Sequence, residues 1–149
     1  MTAAPANVFV STDPSLIDET FTYRYLHEHM YWAKSLDLDT FRRAVRHSAV
    51  VAAAYEPTGE GGKPKQVAFA RVVSDRATFA YLTDVFVVRE YRGNGIAERL
   101  VRAVVDHPDL QRLRRFLLVT EDAAGLYGRF GFEPLHDAAH WMQKFDGGR

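Results

Sequence analysis

The chain contains no cysteine. Disulfides, thiolate zinc sites and cysteine nucleophiles are thereby excluded, while the redox compartment stays open. An excess of charge of either sign is also missing, since lysine plus arginine and aspartate plus glutamate each number 19. Without a global basic field, nucleic acid and anionic membranes are not expected as partners. No stretch reaches the ~18 consecutive apolar residues of a membrane span. Residues 1–13 lack the charged leader and apolar run of a secretory signal, so a cytoplasmic protein is expected. Histidine is too scattered for a metal site: His27 and His29 cannot share a helix face, and His136 and His140 have no evident third ligand.

What is present is a core. Apolar residues make up 47% of 149 positions, enough for one domain, and no composition break divides residues 1–149. Val8–Ser11 alternates as a strand. Asp13-Pro14-Ser15 starts a helical pattern over Leu16–Met30, and Ser35 or Asp37 can cap a second helix running to about His47. Strands are predicted at Ala49–Tyr55, Val67–Val73 and Thr78–Val88, joined by a Gly/Pro-rich connection and a Ser-Asp-Arg turn. Ile96–His107 carries apolar residues at i, i+4 and stops before Pro108. A strand at Phe116–Val119, a short helix at Ala123–Phe130, and strands at Phe132–Leu135 and Trp141–Phe145 complete the order βααβββαβαββ. Consecutive strands on short turns must run antiparallel, and the later strand–helix–strand step is a parallel crossover. The class is therefore α/β (α+β), with a mixed, mostly antiparallel sheet flanked by helices.

The segment richest in chemistry runs from Val85 to Ala97, where a strand ends, two glycines turn the chain, and an amphipathic helix begins. Glycines let backbone approach a ligand, and the free N–H groups of a first helical turn favour an anion. A dinucleotide fingerprint would need a third small residue at Glu98, and a Walker loop would need Gly-Lys-Ser/Thr; neither is present.

Arg92-Gly93-Asn94-Gly95-Ile96-Ala97 instead resembles the acetyl-CoA pyrophosphate loop of the GNAT family of N-acetyltransferases. The element order is similar as well, from about Val8 to Phe145. A second motif, Asp122 to Phe132, looks like that family's later CoA-binding helix, with Tyr127 just before the Gly-Phe ending.

The resemblance implies an acetyl-CoA-dependent N-acetyltransferase that moves the acetyl group directly to a primary amine in a ternary complex, releasing CoA. By the same match the pantetheine pairs with backbone of Val85, Phe86, Val87 and Val88, and Arg92, Gly93, Asn94, Gly95, Ile96 and Ala97 hold the pyrophosphate. The N–H of Val87 stabilises the oxyanion, and Tyr127 sits near the thioester sulfur as hydrogen donor. Leu82-Thr83-Asp84-Val85-Phe86-Val87 resembles the corresponding strand of polyamine acetyltransferases, but Thr83 replaces a glutamate and cannot act as base. Asp84 remains as a candidate catalytic or substrate-binding carboxylate, or as an aspartate held by backbone or by an arginine. The acceptor side is expected around the first helices, where Tyr31 and Trp32 are the leading candidates beside Tyr23, Tyr25, His27 and His29. Aromatic rings there could hold a cationic amine or simply pack. Arg112, Arg114 and Arg115 read as a solvated run or as a phosphate contact. The acceptor is undefined, with small molecules favoured over proteins. The second reading is a non-catalytic acetyl-CoA sensor. A homodimer through the last strand is left open.

Overall fold

The computed structural model describes residues 7–59 and 61–147. The reading of the extreme N-terminus as free of a leader falls largely outside them. Five strands form one sheet in sequence order: β1 Phe9–Ser11, β2 Val50–Glu56, β3 Lys65–Ser74, β4 Phe79–Val87 and β5 Arg115–Leu117. The first three pairings are antiparallel, and β4–β5 is parallel. Among the described residues the α-helices are α1 Glu19–His29, α2 Leu38–Arg46, α3 Ile96–Val105 and α4 Ala124–Gly128.

Local chemistry sets the helix ends. Asp18 accepts from the N–H of Phe21 and Asp37 from that of Thr40, so each caps its helix through the first free amides. The stretch expected to be one helix from Leu16 is split: a 3-10 turn at Pro14–Leu16 is capped by Asp13, and α1 restarts behind Asp18. A buried chain of hydrogen bonds then docks α1, with Asp18 N–H donating to Gln66 Oε1 and Gln66 Nε2 to Thr22 Oγ1, both at 2.8 Å.

The sheet separates two apolar layers. On one face α3 packs Ile96, Leu100, Val101 and Val104 over alanines and valines of β2 and β3. On the other face Leu26 of α1 and Phe41 of α2 cover Val51, Phe69 and Phe86. Small residues in β2 and β3 let α3 lie close to the sheet.

The last two expected strands do not form. Residues 132–135 and 141–145 are irregular, with a 3-10 turn at Ala138–His140 between them. The first carries Pro134, which has no N–H to donate to a ladder. The second has no buried face: Met142 is 95% exposed and Phe145 77%. Its alternation therefore has nothing to pack on.

Candidate active site

The site begins with a defect in β4. Arg71 of β3 pairs with Thr83 and Phe69 with Phe86, so one residue of β3 opposes two of β4. The extra residue is Asp84, in the left-handed region at φ 57°. Because strand side chains alternate, a bulge changes which face later residues meet. Ala80 and Leu82 precede it on the α3 face; beyond it Val85 and Val87 take that face and Phe86 turns to α1. Tyr25 stacks on Phe86 at 4.1 Å and His29 on Tyr25 at 4.2 Å, forming a column of rings on the α1 side.

The bulge also coincides with an opening. Among the described residues only Phe79, Ala80 and Tyr81 of β4 pair with β5, so from Leu82 onward no strand covers that edge. The N–H of Val88 donates to Val67 O on the β3 side (2.9 Å). Backbone groups alternate in direction along an antiparallel strand, which turns the N–H and C=O of Val87 to the open edge. The carbonyl there accepts from Arg92 Nε at 2.9 Å. Arg92 Nη2 in turn reaches the hydroxyl of Tyr25 at 3.3 Å, linking turn, strand and α1.

The glycine turn lies directly beyond β4. Gly93 has φ 79° and Gly95 φ 73°, and a Cβ built on either meets nothing within 4 Å. Asn94 Nδ2 donates to the carbonyls of Tyr91 and Arg92, which ties the turn down through a side chain. Among the described residues, the N–H groups of Gly93 to Glu98 have no acceptor. A row of open amides at the positive end of α3, with empty space before it, suits a pyrophosphate in charge and shape. The one acidic side chain in that first turn, Glu98, faces Arg102 and Arg129 at 3.6 and 4.0 Å.

Tyr127 of α4 is 8% exposed and belongs to the same packed cluster as Val87, its ring edge-on to Phe132. Among the described residues its hydroxyl has no hydrogen-bond partner, and unlike the sealed hydroxyl of Tyr55 it keeps some access to solvent. Burial raises its pKa, and Asp122 adds to the effect. The phenol is thus held neutral, as a donor.

Other candidates lie differently. Asp84 is committed to Arg71, whose Nε stands 2.6 Å from Oδ2, with the two side chains 17% and 4% exposed. Tyr31 and Trp32 lie in a 3-10 turn after α1, 79% and 45% exposed, and among the described residues neither ring stacks on another. His136 pairs with Glu133, and Arg115 with Asp137 and the ring of Trp141. Among the described residues no three His, Asp or Glu side chains converge as a metal site, and no helix is long and apolar enough to cross a membrane. Arg71 lies outside both sequence motifs. An arginine inside the apolar run of residues 67–73 was its signal, because a charge in such a strand requires a partner.

Comparison with known proteins decides the family. The model of the acetyltransferase (GNAT) domain matches residues 46–134, more than half of the chain and inclusive of both the glycine turn and Tyr127. The chain belongs to the GNAT acetyltransferase family. A crystallised GNAT-family protein of Xanthomonas campestris pv. campestris, itself described as a candidate acetyltransferase, is 46% identical with a TM-score of 0.85, covering 98% of this chain and 97% of that one. A candidate acetyltransferase of Gibberella zeae is 32% identical, the match covering 80% of this chain and 75% of the relative. The GNAT fold is shared at lower identity with Arabidopsis thaliana NAA60 in complex with acetyl-CoA, at 18% identity and TM-score 0.69 over 87% of this chain and 88% of that one.

Proposed function

We propose that this GNAT protein, as a single domain over residues 1–149, transfers the acetyl group of acetyl-CoA directly to a primary amine, without a covalent enzyme intermediate. One observation carries the reading: the unpaired edge of β4, with the Val87 N–H turned outward, runs straight into a turn of open amides. In acetyl-CoA a thioester and a pyrophosphate are joined by one pantetheine arm, and this continuous track offers donors suited to each. The fold shared with NAA60, a protein that takes acetyl-CoA, supports the same choice.

Acetyl-CoA is the acyl donor: the amine nitrogen bonds to its carbonyl carbon, the C–S bond breaks, and CoA leaves as thiolate. The chain's part is positioning and electrostatics. The N–H of Val87 meets the carbonyl oxygen as it gains charge, and the amides of residues 93–98 hold the diphosphate, while Arg92 braces the turn against Val87 O and the Tyr25 hydroxyl. Tyr127 donates to the departing sulfur. With reference pKa values of about 10 for a phenol and about 8.5 for a thiol, complete proton transfer is uphill by roughly 2 kcal/mol. Burial of Tyr127 adds to that cost, so a hydrogen bond that strengthens as the sulfur becomes anionic is the better description. Thr83 has no basic group and Asp84 is bound to Arg71, so the amine proton leaves through water. Tyr31 and Trp32 are proposed to meet the acceptor, because their exposed rings suit a small cationic amine.

The test is a panel of small amines and peptide N-termini incubated with acetyl-CoA, with free thiol and acetylated product both measured. Transfer to at least one amine, abolished without protein, is expected. Cofactor binding with no transfer across the panel would replace the enzyme by the second reading, a sensor of acetyl-CoA.

A further inference from the structure

Asp84 combines features that rarely meet in a strand. It is a non-glycine residue in the left-handed region, it is almost fully buried, and its carboxylate holds an arginine from the neighbouring strand at 2.6 Å. A left-handed conformation costs an L-residue free energy, although aspartate tolerates it better than most, and a buried ion pair must be well made merely to offset its desolvation. Both persist only where the surrounding structure fixes them. The arginine is fixed in turn: Arg71 Nη1 reaches Ser48 Oγ at 3.4 Å, and that hydroxyl donates to Ala44 O of α2. Thr83 Oγ1 lies 3.4 Å from the other carboxylate oxygen.

We infer that Arg71 and Asp84 form a lock that holds the β4 bulge, making Arg71 a positioning residue for acyl transfer. The consequence follows from the alternation of a strand. Without the extra residue, every position from 85 onward would exchange faces. Phe86 would leave Tyr25, and the N–H of Val87 would turn back toward β3, away from the open edge. The pair thus sets the direction of the oxyanion donor and the wall of rings on the acceptor side without touching either substrate. Asp84 serves this lock rather than proton abstraction.

The kinetic part of this inference rests on the acetyl-transfer reading; the structural part does not. The test compares wild type with Arg71→Ala, Asp84→Ala, the double alanine variant, Asp84→Asn, and Arg71→Met/Asp84→Gly. In the last, both charges are removed and glycine accepts the left-handed backbone, which guards against a variant that does not fold. Circular dichroism checks folding. Amide hydrogen exchange of the peptide spanning residues 82–88 reports the bulge, calorimetry gives the acetyl-CoA Kd, and kcat, KM and the pH profile are taken with the best amine.

Faster exchange confined to that peptide is expected whenever the pair is broken. In each alanine variant kcat falls about 10- to 100-fold with KM changed less than about threefold, and the double variant is no worse than the singles, as for two halves of one device. Asp84→Asn recovers most of the loss without shifting the pH profile, because its amide oxygen still accepts from Arg71 and asparagine tolerates the left-handed region. Two results overturn the lock: unchanged exchange in every variant, or full activity in Arg71→Ala. Asp84→Asn as inactive as Asp84→Ala, with the acidic limb of the profile gone, would make Asp84 the base instead. If wild type fails to bind acetyl-CoA, the proposed function falls, while the exchange data still decide the lock.

Discussion

Tyr127 and Tyr55 are both buried phenols with raised pKa values, and the structure gives them opposite uses. Tyr127 keeps an accessible hydroxyl beside the Val87 cluster, so Tyr127→Phe should leave the acetyl-CoA Kd within about twofold while kcat falls at least tenfold. Steady-state kinetics beside calorimetry separates the two, and wild-type turnover would end its role. The hydroxyl of Tyr55 is sealed without a partner among the described residues, and burial, then Asp13 and Asp18, push its pKa up to about 12. The folded state therefore holds the proton more tightly than the unfolded chain, whose phenol titrates near 10. That contribution is fully present below about pH 10 and is lost as pH rises towards 12. Tyr55→Phe should accordingly flatten the fall in stability between those values. At pH 7 it should equal or exceed wild type by up to about 1 kcal/mol, since it removes an unsatisfied buried group. Urea unfolding at pH 7 and at pH 11 checks both, and a variant clearly weaker at pH 7 would show that the hydroxyl has a partner. Tyr127 was legible as a motif residue. The partner of Asp84 was not, because a pairing across β3 and β4 depends on a register that the sequence leaves open.

Most elements were legible because their apolar patterns differ: β2 and β3 are near-continuous apolar runs buried on both faces, β4 alternates with a period near two, and α3 repeats near 3.6. Boundaries moved where a local hydrogen bond outweighed the pattern, as when Asp18 restarted the first helix. The two final strands were misread for a different reason. Alternation at 141–145 is necessary for an edge strand but does not supply a face to bury, and those side chains remain in solvent. The bulge in β4 was hidden because nothing in the strand's composition marks an inserted residue. The glycine turn was visible in full, and its function belongs to the element rather than to one side chain. Gly95→Ala places a methyl in the open space before the amides and forces an alanine to φ near 73°. It should cost about 1–2 kcal/mol of stability and weaken acetyl-CoA at least tenfold. Calorimetry showing unchanged affinity would remove the diphosphate from this turn.

At the scale of the molecule, the α3 layer and the α1–α2 layer hold β4 from both sides while β5 leaves it after three paired residues. The opening is thus a product of strand lengths, and the bulge at Asp84 is what aims the Val87 N–H. With a formal net charge of zero, the proposed acetyl-CoA would be drawn in by the local amides of the turn and not by a global field.

The most direct measurement is a thermal shift of the ligand-free protein with acetyl-CoA, CoA, NAD and ATP in parallel. A ligand at 100 times its Kd adds about 2.7 kcal/mol, or roughly 5–10 °C for a chain of this size. The account predicts that shift for acetyl-CoA and CoA, and none of comparable size for NAD or ATP. A folded protein that responds to neither acetyl-CoA nor CoA would contradict it.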